Sequence, residues 1–328
     1  MMIISELIIL FLLIITIVRS QDEIINNNII DIYAPSSCDR IASYGDHILY
    51  HYTIVLNNGT ILYNNDNNGK SSYIQLNSND NLIHINLKGV CKNTTRKISF
   101  DNLDGISLQP LYDNNQYKQN SISIIVKINH ITSADDYSIF SYIKGNDQSN
   151  VIDMIDRLPS SVNAVDENEY SPLMAAIALK NFPIVATLLN ARRPTVDVNH
   201  KKWSGHNAIF YSLDNPNAAI LQALLRRGAD PNGVLTTDDS MGNTALHLAC
   251  YLEKEKHADL LLQYGANPIA PNKFGIKPID LLPRDSTPSN KISFKRMFQD
   301  AIERWNKEEK TLVVEGEERK LPTFRQDL

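Results

Sequence analysis

Two spacings of apolar residues divide this chain. Between residues 30 and 135, apolar and polar positions alternate in short runs. The stretches "HILYHYTIVL" at 47–56, "TTRKISF" at 94–100 and "SISIIVKINHI" at 121–131 are rich in β-branched and aromatic residues. That composition and a period of two suit strands with one covered face. "LNNGT" at 56–60 sets an Asn-Gly pair between two such runs, which predicts a hairpin. "DNLIHINLKGV" at 80–90 breaks the alternation and predicts one short helix or an irregular turn. Five or so antiparallel strands and one helix make an α+β domain. From 137 to 307 the apolar positions recur at helical spacing instead.

The helical part repeats itself. "YSPLMAAIALKNFPIVATLLNA", "GHNAIFYSLDNPNAAILQALLRRGADPN", "GNTALHLACYLEKEKHADLLLQYGANP" and "FGIKPIDLL" align on Pro172, Ala208, Ala245 and Pro278, at spacings of 36, 37 and 33 residues. Pro172 suits the first turn of a helix, where its missing N–H costs nothing. Leu173, Ala175 and Ala176 keep the first helix thin enough to stack. Leu188-Leu189, Leu224-Leu225 and Leu261-Leu262 mark the second helix of each unit, and Gly228 and Gly265 follow where left-handed backbone is needed. "YSIFSYIKGNDQSNVIDMIDRLPSSVNAVDE" is an imperfect earlier unit that serves as the N-terminal cap. "FKRMFQDAIERWNKEEK", with Phe294, Met297, Phe298, Ile302 and Trp305 at helical spacing, closes the stack. Residues 308–328 read as a mobile polar tail.

This pattern resembles the ankyrin repeats, which implies an all-α solenoid whose units are stable only as a stack. His247 in "TALHLA" stands at the family's structural histidine, which hydrogen-bonds between repeats. The resemblance also implies a protein partner on the concave face formed by turns and first helices. Candidate contacts are His200, Lys201, Lys202, Trp203, Thr236, Thr237, Asp238, Asp239, Asn272, Lys273 and Phe274. Trp203 and Phe274 lead, since aromatics anchor interfaces.

Composition narrows the partners. The 328 residues are 43% hydrophobic, enough for two globular cores, and the net charge of −5 leaves no basic field for nucleic acid. The abundant Asn and Ile reflect composition bias. Leu7 to Val18 form a twelve-residue apolar run. That fits a signal-peptide core over residues 1–20 and is short of the roughly 20 residues of a membrane span. Small residues at Val18 and Ser20 allow cleavage before Gln21, whereas Glu6 and Arg19 are off-pattern. A membrane attachment arises only if the segment stays uncleaved. Asn58-Gly59-Thr60 and Asn93-Thr94-Thr95 are glycosylation sequons that fit a secretory route. Arg325 to Leu328 resemble a luminal retention signal. The chain is therefore expected in the endoplasmic reticulum lumen or secreted. An oxidising lumen would pair two of the three cysteines; Cys38 and Cys91 share the first domain, while Cys250 sits in an apolar helical stripe.

The first domain carries a second resemblance. Cys38, Gly45-Asp46, His51-Tyr52-Thr53 and Leu56-x-x-Gly59-Thr60 are similar to the opening of the FKBP-type prolyl isomerases, most of all their secretory-pathway branch. The match resumes at "IQLN", "LIHINLKGVCKNTTRKISF" and "SISIIVKINHI", covering about 100 residues. The resemblance implies that Cys91 pairs with Cys38. It also implies an apolar cavity that holds a twisted X-Pro amide better than a planar one, against a barrier of about 18–20 kcal/mol. The lining has been rewritten. Tyr52 keeps the family's tyrosine. Leu62 and Tyr63 replace Phe-Asp, so the pocket carboxylate is gone. Leu82 and Ile83 keep an apolar pair, and Asn86 replaces the tryptophan floor. Ile106 and Ile124 fall near the family's remaining Tyr and Phe. An amide in place of the tryptophan removes apolar contact and brings a polar group into a dry site.

No Cys-x-x-Cys, His-Glu-x-x-His, Gly-x-Gly-x-x-Gly, phosphate loop or EF-hand loop occurs, and the eight histidines show no metal spacing. No cofactor is expected. The resulting expectation is a luminal interaction or folding-assistance protein with weak or absent isomerase activity. The alternative is an active isomerase that ankyrin repeats direct to proline-containing clients.

Overall fold

The computed structural model describes residues 28–38, 40–56, 59–64, 71–76, 87–100, 122–237 and 240–315. The chain divides into two compact units at residues 134 and 135.

The first unit is one antiparallel sheet. Its strands are β1 (Asn28–Tyr33), β2 (His47–Leu56), β3 (Ile61–Asn64), β4 (Ser72–Gln75), β5 (Thr95–Phe100) and β6 (Ile122–Thr132). The order is β1-β5-β6-β2-β3, with β4 also paired to β2. The long alternating runs become the central strands because only they can be covered on one face along their whole length. β2 and β6 pair over ten positions, from His47↔Thr132 to Leu56↔Ile122. Ile48, Leu76, Leu87, Val90, Ile98, Val126 and Ile128 form the core, and Tyr50, Tyr52, Ile74, Ile124 and Ile131 pack against it.

Two features pin the near end of this sheet. Cys38 and Cys91 are disulfide-bonded, with Cα atoms 5.8 Å apart and 53 residues of separation. The Gly45-Asp46 pair fastens the loop before β2. Gly45 has φ +92 and donates its N–H to the Leu76 carbonyl at 2.7 Å. The buried Asp46 accepts from Arg40 Nη2 at 2.7 Å and from the Ser43 N–H at 2.8 Å.

The second unit is a stack of helix pairs. It opens with α1 (Ala134–Tyr137), α2 (Ile139–Lys144), α3 (Gln148–Arg157) and a 3₁₀ turn at Pro159–Asn163. Three pairs follow: α4 (Pro172–Ala178) with α5 (Phe182–Leu189), α6 (Ala208–Ser212) with α7 (Ala219–Arg226), and α8 (Ala245–Tyr251) with α9 (Glu255–Gln263). The fourth pair is a single 3₁₀ turn, Pro278–Leu281, and the long α10 (Pro288–Glu315). Pro172, Ala208, Ala245 and Pro278 each open their helix. The N-caps Ser171, Asn207 and Thr244 accept from main-chain N–H groups of the first turn, satisfying donors that have no partner inside the helix.

One apolar core runs through the stack. It includes Ile139, Leu173, Leu188, Ile209, Leu224, Leu246, Leu261, Phe294 and Phe298. Ala176, Ala208, Ala245 and Ala249 are all buried, so small residues do let the first helices close together. Helix α10 continues to Glu315, eight residues into the stretch read from sequence as a tail. The apolar stripe is interrupted at Glu308-Glu309-Lys310, and the β-branched Val313-Val314 carry little helix propensity, so the extension past Lys310 was not legible. No helix of the described residues is long and apolar enough to cross a membrane.

Candidate functional site

In the sheet unit, the site is the covered face of β2 and β6. Alternation sends Ile48, Tyr50, Tyr52 and Ile54 to one side. Tyr52 stands opposite Val126, and Ile54 opposite Ile124. Tyr52 and Ile124 are therefore diagonal neighbours, close enough for a long side chain to span, and both are partly buried against the core. Burial pushes the neighbouring Tyr50 hydroxyl up to about 12. A register shift leaves Leu62 as the extra residue of a bulge and sets Tyr63 opposite Ile54. The side chains of Leu62 and Tyr63 lie outside the described residues, as do Leu82, Ile83, Asn86 and Ile106 entirely. Of the eight expected lining positions, Tyr52 and Ile124 are the two whose surroundings are on view.

This face also holds a charged pair that the sequence reading missed. Arg96 lies opposite Val126, in the same cross-strand row as Tyr52, and Asp31 lies opposite Arg96. The guanidinium grips the carboxylate with Nε to Oδ1 at 2.6 Å and Nη2 to Oδ2 at 2.9 Å. The Arg96 side chain is only 13% exposed. Its hydrogen bond holds the Asp31 carboxyl below the usual carboxylate range. A forked pair of this kind engages both carboxylate oxygens, so Asp31 is committed to Arg96 and not held toward the covered face as a free carboxylate. The signal was an Asp and an Arg inside strand-like runs, but nothing local says that they meet across 65 residues.

In the helical unit, the candidate surface is the row of hairpin turns, or fingers, before each first helix. Lys201 bridges to Asn207, and Val234 to Thr244. Glycine sits at the left-handed corner of three fingers, with φ +79 at Gly205, +71 at Gly242 and +75 at Gly275. Glu169, with φ 63, occupies that corner in the first. The fingers are laced together. Thr236 N–H donates to Ser204 O at 3.0 Å, and Lys273 N–H to Met241 O at 2.8 Å.

The two leading contact residues differ. Phe274 is 69% exposed, and its neighbour on the adjacent finger, Met241, is also exposed. Trp203 is half-buried; its N–H donates to Glu169 Oε2 and its carbonyl accepts from the Thr236 hydroxyl. The remaining candidates sort in the same way. Asn272 is buried, with Nδ2 donating to Asn243 Oδ1 at 2.9 Å and Oδ1 accepting from the Phe274 and Ile276 N–H groups. It builds the finger and offers nothing to a partner. His200 Nε2 pairs with the Glu169 carbonyl at 2.9 Å. The Lys202 ammonium lies 3.9 Å from the Tyr170 ring centroid, and Tyr170 packs on Tyr211 at 5.2 Å. Lys201, Thr237 and Lys273 sit on the same fingers, while Asp238 and Asp239 lie outside the described residues.

His247 is structural. It is fully buried. Its Nδ1 accepts from the Thr244 N–H at 3.2 Å and its Nε2–H donates to the Ile276 carbonyl at 3.0 Å, tying one unit to the next finger. Cys250 is a buried free thiol whose pKa burial pushes up, so it is no nucleophile. Among the described residues, no group of three or more His, Cys, Asp or Glu is placed to hold a metal.

A ladder of asparagines escaped the sequence reading. Asn163 Nδ2 donates to Thr195 O at 3.0 Å, and its Oδ1 accepts from Asp197 N–H at 2.7 Å. Asn199 makes the same pair with Gly228 O and Asp230 N–H, and Asn232 with Gly265 O and Asn267 N–H. The available signal was positional: Asn163 and Asn199 each fall eight residues before a helix N-cap.

Thin stacked first helices, glycine-cornered fingers and a bridging histidine define a class of repeat protein. The family model of ankyrin repeats (three copies) matches residues 139–234 and 194–272. The helical unit carries ankyrin repeats. The chain is similar to the NAD-dependent deacetylase sir2B of Dictyostelium discoideum, 24% identical over 136 residues, 42% of this chain and 16% of that protein. It is similar to the mitochondrial disaggregase of Bos taurus, 28% identical over 162 residues, 40% of this chain and 22% of the relative. A third similarity is to the ankyrin repeat domain-containing protein SAT10 of Stachybotrys chartarum, 32% identical over 107 residues, 33% of this chain and 5% of that protein. The chain thus spans less than a quarter of the length of each of these relatives.

Proposed function

We propose that this chain is a secretory-pathway protein-interaction or folding-assistance protein, in which the ankyrin array holds a protein partner and an FKBP-like sheet unit has little or no prolyl isomerase activity. Ankyrin arrays generally bind proteins. The observation that carries the reading is the exposed Phe274 at a finger tip, beside the exposed Met241. Large apolar side chains held out on a hydrogen-bonded framework are suited to anchor an interface. The Cys38–Cys91 disulfide supports both an FKBP-like scaffold, since that is the pair the resemblance implies, and an oxidising compartment. The inactive pocket rests on the sequence: Tyr63 supplies no carboxylate and Asn86 no indole floor.

An active isomerase is the second reading. The packing of Tyr52 beside Ile124 on the covered face favours it. One assay separates the two: cis-to-trans isomerisation of a Leu-Pro peptide by the full chain with its disulfide formed. The expected rate equals the uncatalysed one. A rate well above it that Tyr52→Ala abolishes would establish the isomerase. For the array, Phe274→Ala is expected to weaken partner binding by about 2 kcal/mol, roughly thirtyfold in affinity, as for other aromatic anchors. Titration of wild type and variant against a partner isolated by crosslinking measures this; equal affinities would remove the finger tips from the interface.

A further inference from the structure

We infer that Asn93 is a glycan acceptor, a covalent attachment site for an N-linked oligosaccharide on the sheet unit. The inference rests on the secretory reading above and adds a position to it. Asn93-Thr94-Thr95 has the spacing that acceptor asparagines require, and the fold leaves this asparagine's amide available. Asn93 is exposed, on the turn joining Cys91 to β5. Its backbone is committed: φ is +65 and the N–H donates to the Ile128 carbonyl at 2.8 Å. Its carboxamide makes no hydrogen bond to any described residue. The buried Thr94 holds the turn, with its Oγ1 accepting from the Cys91 N–H at 3.3 Å. Thr95, the sequon hydroxyl, starts β5 opposite Lys127. A sugar on Nδ2 therefore displaces no contact that builds the sheet. The disulfide at Cys91, two residues away, belongs to the same oxidising compartment as the transfer.

In the transfer, Asn93 Nδ2 attacks the anomeric carbon of a lipid-linked oligosaccharyl diphosphate. A C–N bond forms, the C–O bond to the diphosphate breaks, the diphosphate leaves with the electron pair, and the amide gives up one proton.

The test is to produce the full chain in eukaryotic cells, compare its mobility before and after N-glycosidase treatment, and assay free thiols. Asn93→Gly removes the acceptor and suits the left-handed φ, so folding is preserved. Thr95→Ala removes the sequon hydroxyl and Thr95→Ser keeps it. The expected result is a loss of one glycan's mass in Asn93→Gly and Thr95→Ala, and retention in Thr95→Ser. A chain that forms the Cys38–Cys91 bond or carries sugar at Asn58, but has none at Asn93, overturns this site and leaves the secretory reading standing. A chain with no sugar and three free thiols overturns both.

Discussion

His247 shows how one side chain couples a repeat to its neighbour. Its Nδ1 must accept from Thr244 while its Nε2–H donates to Ile276, so the ring must be neutral. Burial holds its pKa below 6.5. Burial does the same at His206 and His257, with Lys202 and Lys254 adding to it. A folded pKa below the unfolded one means the unfolded chain binds protons first. The stability these rings contribute is therefore present above about pH 6.5 and lost as pH falls through that value toward the lower folded pKa. Thermal unfolding of the helical unit should shift to lower temperature between about pH 7 and pH 5. A His247→Gln variant should shift less over that window, though less stable at neutral pH by about 1–3 kcal/mol from the broken buried hydrogen bonds. A midpoint flat across the window would contradict the neutral-ring geometry.

At the scale of the element, the fingers are ordered by close backbone approach, and glycine marks where. A Cβ on Gly205 would lie 2.2 Å from the Val234 carbonyl oxygen and 2.9 Å from Leu235 Cα, both main-chain atoms of the next finger. A Cβ on Gly228, at φ +82, would meet nothing within 4 Å. Both substitutions to Ala incur the left-handed cost of about 1–2 kcal/mol, and Gly205→Ala adds a clash that only finger separation relieves. Denaturant titration should find Gly228→Ala destabilised by about 1 kcal/mol and Gly205→Ala by several times that; equal losses would mean the fingers are not in contact. The helix-opening positions and the left-handed Gly228 and Gly265 were legible in the sequence, because Pro172, Ala208, Ala245 and Pro278 recur at a nearly constant spacing and helix-end preferences are local; the finger corner at Gly205 was not, since its need for glycine comes from the next finger. The asparagine ladder was not. Asn is common throughout this chain, and each rung closes on main-chain groups about 30 residues away. Trp203 and Phe274 read alike as finger aromatics, and only the fold distinguishes the half-buried one from the exposed one. The Asp31–Arg96 pair was hidden for the same reason as the ladder, since strand register decides it.

For the whole molecule, the two units draw stability from different sources. The ankyrin stack is sustained by nearest-neighbour burial. The sheet unit adds a covalent tie: Cys38–Cys91 closes a loop of 53 residues of separation, worth about 4 kcal/mol if chain entropy is the dominant contribution. It joins the approach to β2 to the entry of β5. Reduction should act selectively. Amide hydrogen exchange in β2, β5 and β6 should rise under dithiothreitol and in a Cys38→Ser/Cys91→Ser variant. Exchange within α4 to α9, whose one cysteine is the buried free thiol Cys250, should stay as it was. Unchanged exchange in β5 and β6 after reduction would show that strand pairing alone holds the sheet, and the disulfide would then be a consequence of the fold and of its compartment instead of a support for either. Faster exchange confined to the sheet unit would make its integrity depend on an oxidising environment, the condition that the proposed secretory route supplies.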